Sequence, residues 1–382
     1  MAMVLDLKDS PCGRLVATEQ HHNAFVPDPL PRHMPLSTSL VSQIDKATLS
    51  IGTLAGVGET IPNPNLLILP FLRKEAVLSS KIEGTQASLS DVFIFEASEG
   101  RWPSPDSREV INYVDALNHG IRRLDELPLC TRLSNELHQV LMQGVRGEDK
   151  RPGELREIQN WIRSKGTNIG DARYIPPPPD YLPDLMADWE AFVNEELEMP
   201  RLMQCALIHY QFEAIHPYVD GNGRIGRLLI TLFLHARNVL PKPLLYLSAY
   251  FERNRDAYID HLLKVSLSGD WEPWLEFFMQ GVVEQAEDAL ERSRRFRQLH
   301  EQYRELLQEK KESANALQLL DALFINPYMT APRAVEVLGI THAGAQGVIN
   351  RLEAIGLLRE IPGRWPHLYV AHDLLETLES PL

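Results

Sequence analysis

His216-Pro217-Tyr218-Val219-Asp220-Gly221-Asn222-Gly223-Arg224-Ile225-Gly226-Arg227 is the stretch that decides the reading of this chain. It brings a titratable base, a carboxylate suited to a hard cation, a glycine-rich turn and two guanidinium groups within twelve positions. Gly221-Asn222-Gly223 opens a run from Arg224 to Ala236 whose apolar residues and lack of Pro predict a largely buried helix. Upstream, Arg201 to Ile215 predicts a second helix ending at the motif. A glycine turn feeding a helix N-terminus presents backbone N–H groups and the positive end of the dipole, which together bind phosphate oxygens. Arg224 and Arg227 stand at i and i+3, so they share a helix face and suit paired hydrogen bonding to a polyphosphate. Asp220 would set a carboxylate beside those phosphates, where Mg2+ neutralises charge in phosphoryl or nucleotidyl transfer. His216 has an ordinary pKa of roughly 6.5, suited to taking a proton from an attacking hydroxyl.

Each part alone has a plainer explanation, since His-Pro ends helices and Gly-Asn-Gly makes turns. Together they resemble the signature of the Fic (filamentation induced by cAMP) family, HxFx(D/E)GNGRxxR, with Tyr218 where the family usually has Phe. The resemblance implies a mainly α fold: a Fic helical core with a β-hairpin flap, followed here by a C-terminal winged helix-turn-helix-like domain. It implies a nucleotidyltransferase moving AMP from ATP, with Mg2+, to a Ser, Thr or Tyr hydroxyl of a target protein or of the chain itself. His216 would then be the base and Asp220 the Mg2+ ligand. Gly221, Asn222, Gly223, Arg224, Ile225, Gly226 and Arg227 would contact the nucleotide. Related proteins move UMP, phosphocholine or phosphate, or remove AMP again. A homodimer is also compatible with the resemblance. A buried Tyr218 hydroxyl needs a partner.

Two further segments fit the same family. Ser79-Ser80-Lys81-Ile82-Glu83-Gly84 matches the (S/T)xxxE(G/N) pattern of its inhibitory helix, in which Glu83 would pair with Arg227 and occupy the guanidinium otherwise used for the terminal phosphate of ATP. Its plainer reading is a surface acid before a glycine helix stop. Residues 152–156 through Ala172-Arg173-Tyr174-Ile175, ahead of Pro176-Pro177-Pro178-Pro179, resemble the flap to whose edge a target peptide adds. Arg173, Tyr174 and Ile175 are the residues expected to pair with it by backbone hydrogen bonds. The alternative is a Pro-rich surface loop. Tyr258, after the motif helix, is a candidate for stacking on adenine, with a core position as the alternative.

The 382 residues suffice for two or three domains. Three cysteines, Cys12, Cys130 and Cys205, offer neither a disulfide framework nor metal-site spacing. Met1 to Asp9 lacks a basic and then apolar leader, and no apolar run is long enough to span a bilayer, so a cytoplasmic enzyme without membrane attachment is expected. With 38 Lys+Arg against 52 Asp+Glu the formal charge is −14, which argues against broad attraction to nucleic acid or anionic lipid.

In chain order the expected parts are an N-terminal arm and inhibitory helical region (1–104), a catalytic domain (105–282), a charged, glycine-free connector helix (283–312) and a winged helix-like domain (313–382). Catalytic-domain helices are expected over Ser107 to Leu124, Arg132 to Leu141 and Leu182 to Glu195. In the last part, helices are expected over Ala316 to Leu323, Ala331 to Leu338 and Ala345 to Ile355. Strands are expected over Leu357 to Ile361 and His367 to Val370, and Thr341 is the expected cap of the third helix. That order also admits a DNA-binding regulator. However, residues 313–382 hold Arg333, Arg351, Arg359 and Arg364 against seven acids, too few cations for strong phosphate binding. A structural or protein-contact module is the favoured reading.

Overall fold

The computed structural model describes residues 7–60, 63–102, 106–163, 169 and 172–380. The expected boundary at 104/105 and most of the segment read for a leader lie outside them. The chain opens with an antiparallel hairpin, β1 (Gly13–Ala17) and β2 (Asn23–Pro27), then α1 (Thr38–Thr60), α2 (Asn65–Ile82), α3 (Leu89–Ala97), α4 (Ser107–Arg123) and α5 (Thr131–Leu141). A second antiparallel pair, β3 (Ile162–Arg163) and β4 (Ala172–Tyr174), precedes α6 (Leu182–Asn194), α7 (Arg201–Ile215) and α8 (Asn222–Ala236). There follow α9 (Ser248–Arg253), α10 (Arg255–Ser268) and α11 (Trp271–Glu309). The remainder is α12 (Ala314–Ile325), β5 (Tyr328–Thr330), α13 (Ala331–Leu338), α14 (His342–Ala354), β6 (Arg359–Ile361), β7 (Leu368–Val370) and α15 (His372–Glu379). The fold is mainly α, as the sequence leads one to expect. Among the described residues no helix is long and apolar enough to cross a membrane.

One compact unit comprises the described residues up to Thr53, Asn112–Pro241 and Leu247–Gln285. Its centre is the pair α7 and α8. Every residue of α7 except Arg201 and Glu213 is buried, as is α8 from Arg224 to Leu234. The two helices approach closely at Gly226, where a Cβ would stand 2.4 Å from Glu213 Oε1 and 3.3 Å from His209 Cε1. Two fully buried tryptophans lock onto α7 by their indole N–H groups, Trp189 to the Ile208 carbonyl at 3.2 Å and Trp274 to the Ala206 carbonyl at 3.1 Å. The N-terminal segment is no loose surface arm. Ala24, Phe25 and Val26 are buried in β2, and the Phe25 N–H donates to the Ile175 carbonyl at 2.9 Å. The prolines from Pro27 onward mark where that strand stops, and the β-favouring Phe25-Val26 pair decides what precedes them.

The expected connector helix is also corrected. It begins twelve residues earlier, at Trp271, and runs through Gly281. A side chain at 281 would meet the Tyr250 ring at 2.7 Å, so this glycine makes room for a neighbour and does not end a helix.

The other unit comprises the described residues of Leu54–Ile111, Lys242–Tyr246 and Ala286–Leu382. Its antiparallel sheet has the order β5-β7-β6, with β7 central. The three expected helices are α12, α13 and α14, and the two expected strands are β6 and β7. Thr341 caps α14, its Oγ1 accepting from Gly344 N at 3.3 Å. The three-residue β5 and the terminal α15 are absent from the elements expected from the sequence. Thr330 ties β5 down, its hydroxyl donating to the Ala97 carbonyl of α3 at 3.0 Å while accepting from Arg333 N at 3.3 Å to cap α13.

Candidate active site

The loop between α7 and α8 is built by its own turn chemistry. His216 terminates α7 in the left-handed region, φ 51° and ψ 61°, with its N–H returned to the Phe212 carbonyl at 3.0 Å. A non-glycine residue there carries a conformational cost that the surroundings must hold. Asn222 opens α8 and clamps the loop, its Oδ1 accepting from Tyr218 N and its Nδ2 donating to Tyr218 O, both at 2.8 Å. Gly221 precedes it at φ 80°, where an added Cβ would press on Met142 Sδ at 3.1 Å and His138 Cδ2 at 3.4 Å. The first intrahelical bond of α8 runs from Ile225 N to Gly221 O at 3.0 Å, so the N–H groups of Asn222, Gly223 and Arg224 lie ahead of any helical acceptor. That helix start coincides with the stretch where the sequence reading expects an anion cradle.

Both arginines are on α8 and buried, Arg224 at 2% exposure and Arg227 at 3%. Arg224 Nη2 lies 3.5 Å from Asp220 Oδ1, and that oxygen also accepts from Gly221 N at 2.6 Å. The Asp220 side chain is 42% exposed, so part of the carboxylate still faces outward. Among the described residues no group of three or more His, Cys, Asp and Glu side chains assembles a metal cage. A single, part-exposed carboxylate beside an anion cradle suits Mg2+ shared with substrate phosphates, which needs no such cage.

Tyr218 is fully buried, and its hydroxyl donates to Asn135 Oδ1 at 2.8 Å. That contact answers the question raised by its difference from the family's Phe. Its ring stacks on His138 with centroids 3.9 Å apart. His138 was missed in the sequence reading. Gly153 N donates to its Nδ1 at 2.9 Å, so the proton sits on Nε2 and is given to the Asp220 carbonyl at 3.0 Å. Burial lowers its pKa to about 4, and the neutral ring therefore supports the loop across the ordinary pH range.

Several expected site residues have structural contacts of their own. Ile225 is wholly buried, and Gly226 makes room for the close approach of α7. Tyr258 is 3% exposed, stacks on Phe251 at 4.5 Å and donates its hydroxyl to His209 Nε2 at 2.7 Å. Its ring belongs to the aromatic core and is not offered to adenine. Arg173 pairs with Asp260, Tyr174 donates its hydroxyl to the Ala214 carbonyl at 2.9 Å, and the Ile175 carbonyl is taken by Phe25 N. These three residues hold the hairpin to the body, and β3 is the opposite strand of the pair. Glu83 stands apart from these: it is the exposed C-cap residue of α2, ahead of Gly84 at φ 99°, which stops the helix.

The site is thus a buried helix pair joined by a left-handed histidine, with a part-exposed carboxylate and two buried arginines at the start of the second helix. Residues 41–122 match the model of the Fic/DOC family N-terminal region, and residues 128–234 match that of the Fic/DOC family. These two stretches place that part of the chain in the Fic/DOC family. Protein adenylyltransferase fic-1 of Caenorhabditis briggsae is 26% identical to it over 213 residues, 55% of this chain and 39% of that protein. Protein adenylyltransferase Fic of Drosophila ananassae is 36% identical over 148 residues, 37% of this chain and 25% of that protein. The chain thus matches well under half the length of these curated relatives. The crystal structure of a Fic family protein from Desulfovibrio desulfuricans shares the fold, with a TM-score of 0.56 at 18% identity, covering 88% of this chain and 97% of that one.

Proposed function

We propose that this chain is a protein adenylyltransferase acting in the cytoplasm, moving AMP from ATP to a Ser, Thr or Tyr hydroxyl of a target protein or of itself. The observation that carries the reading is the loop from His216 to Arg227, which sets a base, a part-exposed carboxylate and a helix N-terminus with two buried arginines in one turn of chain. In the reaction the hydroxyl oxygen forms a bond to the α-phosphorus, the bond from that phosphorus to the bridging oxygen breaks, and pyrophosphate leaves. His216 takes the hydroxyl proton. The first-turn N–H groups of α8 with Arg224 and Arg227 hold the phosphates. Asp220 would hold Mg2+, which supplies charge neutralisation on the polyphosphate.

The peptide-binding edge in this reading is β3, since β4 is tied to the body. Glu83 acts as the inhibitor by pairing with Arg227, so Glu83→Gly is expected to raise self-modification. Unchanged activity and ATP affinity in that variant would return Glu83 to the role of a surface acid. The transfer itself is tested with ATP labelled separately at the α and γ positions and by the mass of the modified protein. Retention of the γ label alone would make the enzyme a kinase.

The C-terminal module serves protein contact or structure in this proposal. Three of its four arginines are engaged: Arg351 pairs with Glu312 at 3.0 Å, Arg333 with Glu336, and Arg364 lies 5.1 Å from the centroid of the Trp102 ring. Gln346, on the helix that would read bases, donates to Asn350 Oδ1 at 2.8 Å and to the Tyr369 hydroxyl at 3.0 Å. Competitor-resistant, submicromolar DNA binding by the full chain at physiological salt would overturn this and favour a regulator.

A further inference from the structure

Residues 156–160 make contacts that the proposed chemistry has not yet used. Arg156 N donates to Pro217 O at 2.9 Å, Arg156 Nε to His216 O at 3.0 Å, and Asn160 Nδ2 to Tyr218 O at 2.9 Å. Three consecutive carbonyls of the loop that carries His216 are thus held from one short segment. The same segment reaches the chain leaving β4: Gln159 Nε2 donates to Pro176 O at 2.8 Å and Arg156 Nη2 to Pro177 O at 2.5 Å. Arg156 Nη1 completes its fork on Ile158 O at 3.2 Å, just before β3. Pro217, Pro176 and Pro177 have no N–H of their own, so these stretches can be fastened only by donors from elsewhere.

Arg156 is 2% exposed, and among the described residues no carboxylate pairs with it. Burial lowers its pKa to about 10, which leaves it charged at neutral pH. A buried cation of this kind is an expensive way to fill space, and packed apolar side chains often stabilise a fold as well. Its planar fork, however, directs donors on three separate nitrogens at carbonyls of three segments, whereas the donors of lysine all sit on one nitrogen.

We propose that Arg156 is a positioning residue: it fastens the His216 loop to both legs of the β3/β4 hairpin, so that a hydroxyl held along the hairpin meets the imidazole in line. The claim rests on the transferase reading for its rate consequences and on geometry alone for the coupling.

The test uses the full chain carrying Arg156→Met or Arg156→Lys, with thermal unfolding, ATP affinity, kcat and KM for the target, and amide hydrogen exchange. The reporter amides are Tyr218 N–H, bonded to Asn222, and Phe25 N–H, bonded to Ile175 O. In Arg156→Met we expect kcat to fall on the order of 10²-fold, the scale of a displacement of about 1 Å at a reacting centre. ATP affinity should change far less, and both reporter amides should exchange faster together. Arg156→Lys should be intermediate in kcat, since it keeps the charge but not the fork. A folded Arg156→Met with unchanged kcat, or with loss confined to ATP affinity, overturns the proposal. If the unmodified chain transfers nothing from ATP, the transferase reading fails by itself. The exchange result then decides the coupling, which is overturned if only one reporter, or neither, is loosened.

Discussion

Arg292 and Arg156 are both almost wholly buried, at 3% and 2% exposure, and the two compact units treat them in opposite ways. Arg292 is neutralised one turn away by Asp288, Nε to Oδ2 at 2.7 Å and Nη2 to Oδ1 at 3.0 Å. Its other N–H groups cap the end of α15 through the carbonyls of Thr377, Leu378 and Ser380. Among the described residues Arg156 meets only carbonyl dipoles, and Arg224, also buried, lies 3.5 Å from the part-exposed Asp220 carboxylate. Where an arginine only holds a fold together, its charge is cancelled on the spot. Beside the motif loop, Arg156 is bonded to carbonyls alone among the described residues, so its charge still acts on the neighbourhood.

The largest effect that would sharpen this contrast is chemical. His216→Ala should lower transfer by about 10² to 10⁴ while leaving nucleotide affinity nearly intact, because the base acts on the hydroxyl and the cradle on the phosphates. Paired rate and binding measurements check it, and equal losses in both would merge base and cradle into one structural unit. Next, Asp288→Ala should cost about 3 kcal/mol in denaturant unfolding by leaving Arg292 buried without its counter-charge. A loss below about 1 kcal/mol would show that the carbonyls suffice and would erase the distinction from Arg156.

A pH titration of stability probes the first unit's habit of keeping buried rings neutral. His209 donates Nδ1–H to the Gly226 carbonyl at 3.1 Å and accepts from Tyr258 on Nε2, and burial pulls its pKa down to about 3. The unfolded chain therefore binds the proton first. Stability is complete above about pH 6.5 and falls toward pH 3, by up to about 1.4 kcal/mol per pH unit from this group. His209→Gln should flatten that slope. Gly226→Ala should destabilise by about 1 kcal/mol, since Glu213 can swing away but His209 at 3.3 Å must yield. The smallest effect is expected from Tyr218→Phe, which loses one hydrogen bond to the half-buried Asn135, about 0.5–1 kcal/mol, with transfer unchanged.

The sequence by itself determined what short-range chemistry can encode. The end of α7 at Ile215, the helix starting at Asn222, the stop at Gly84, the bounds of α13 and the Thr341 cap all follow from capping, turn and periodicity rules acting within a few residues. The motif's order of base, carboxylate, cradle and arginines is local in the same sense. Only the tertiary structure decided which residues hold that loop in place. His138 reaches Asp220 across 82 positions, Asn135 reaches Tyr218 across 83 and Arg156 reaches His216 across 60, and no period or spacing announces such pairs. The same limit explains why Tyr258 became core, why Gly226 and Gly281 proved to be contact points, and why β2 joined the hairpin's far leg. A side chain's neighbours within a turn are set by the chain's own geometry, whereas its neighbours across the core depend on how whole helices pack.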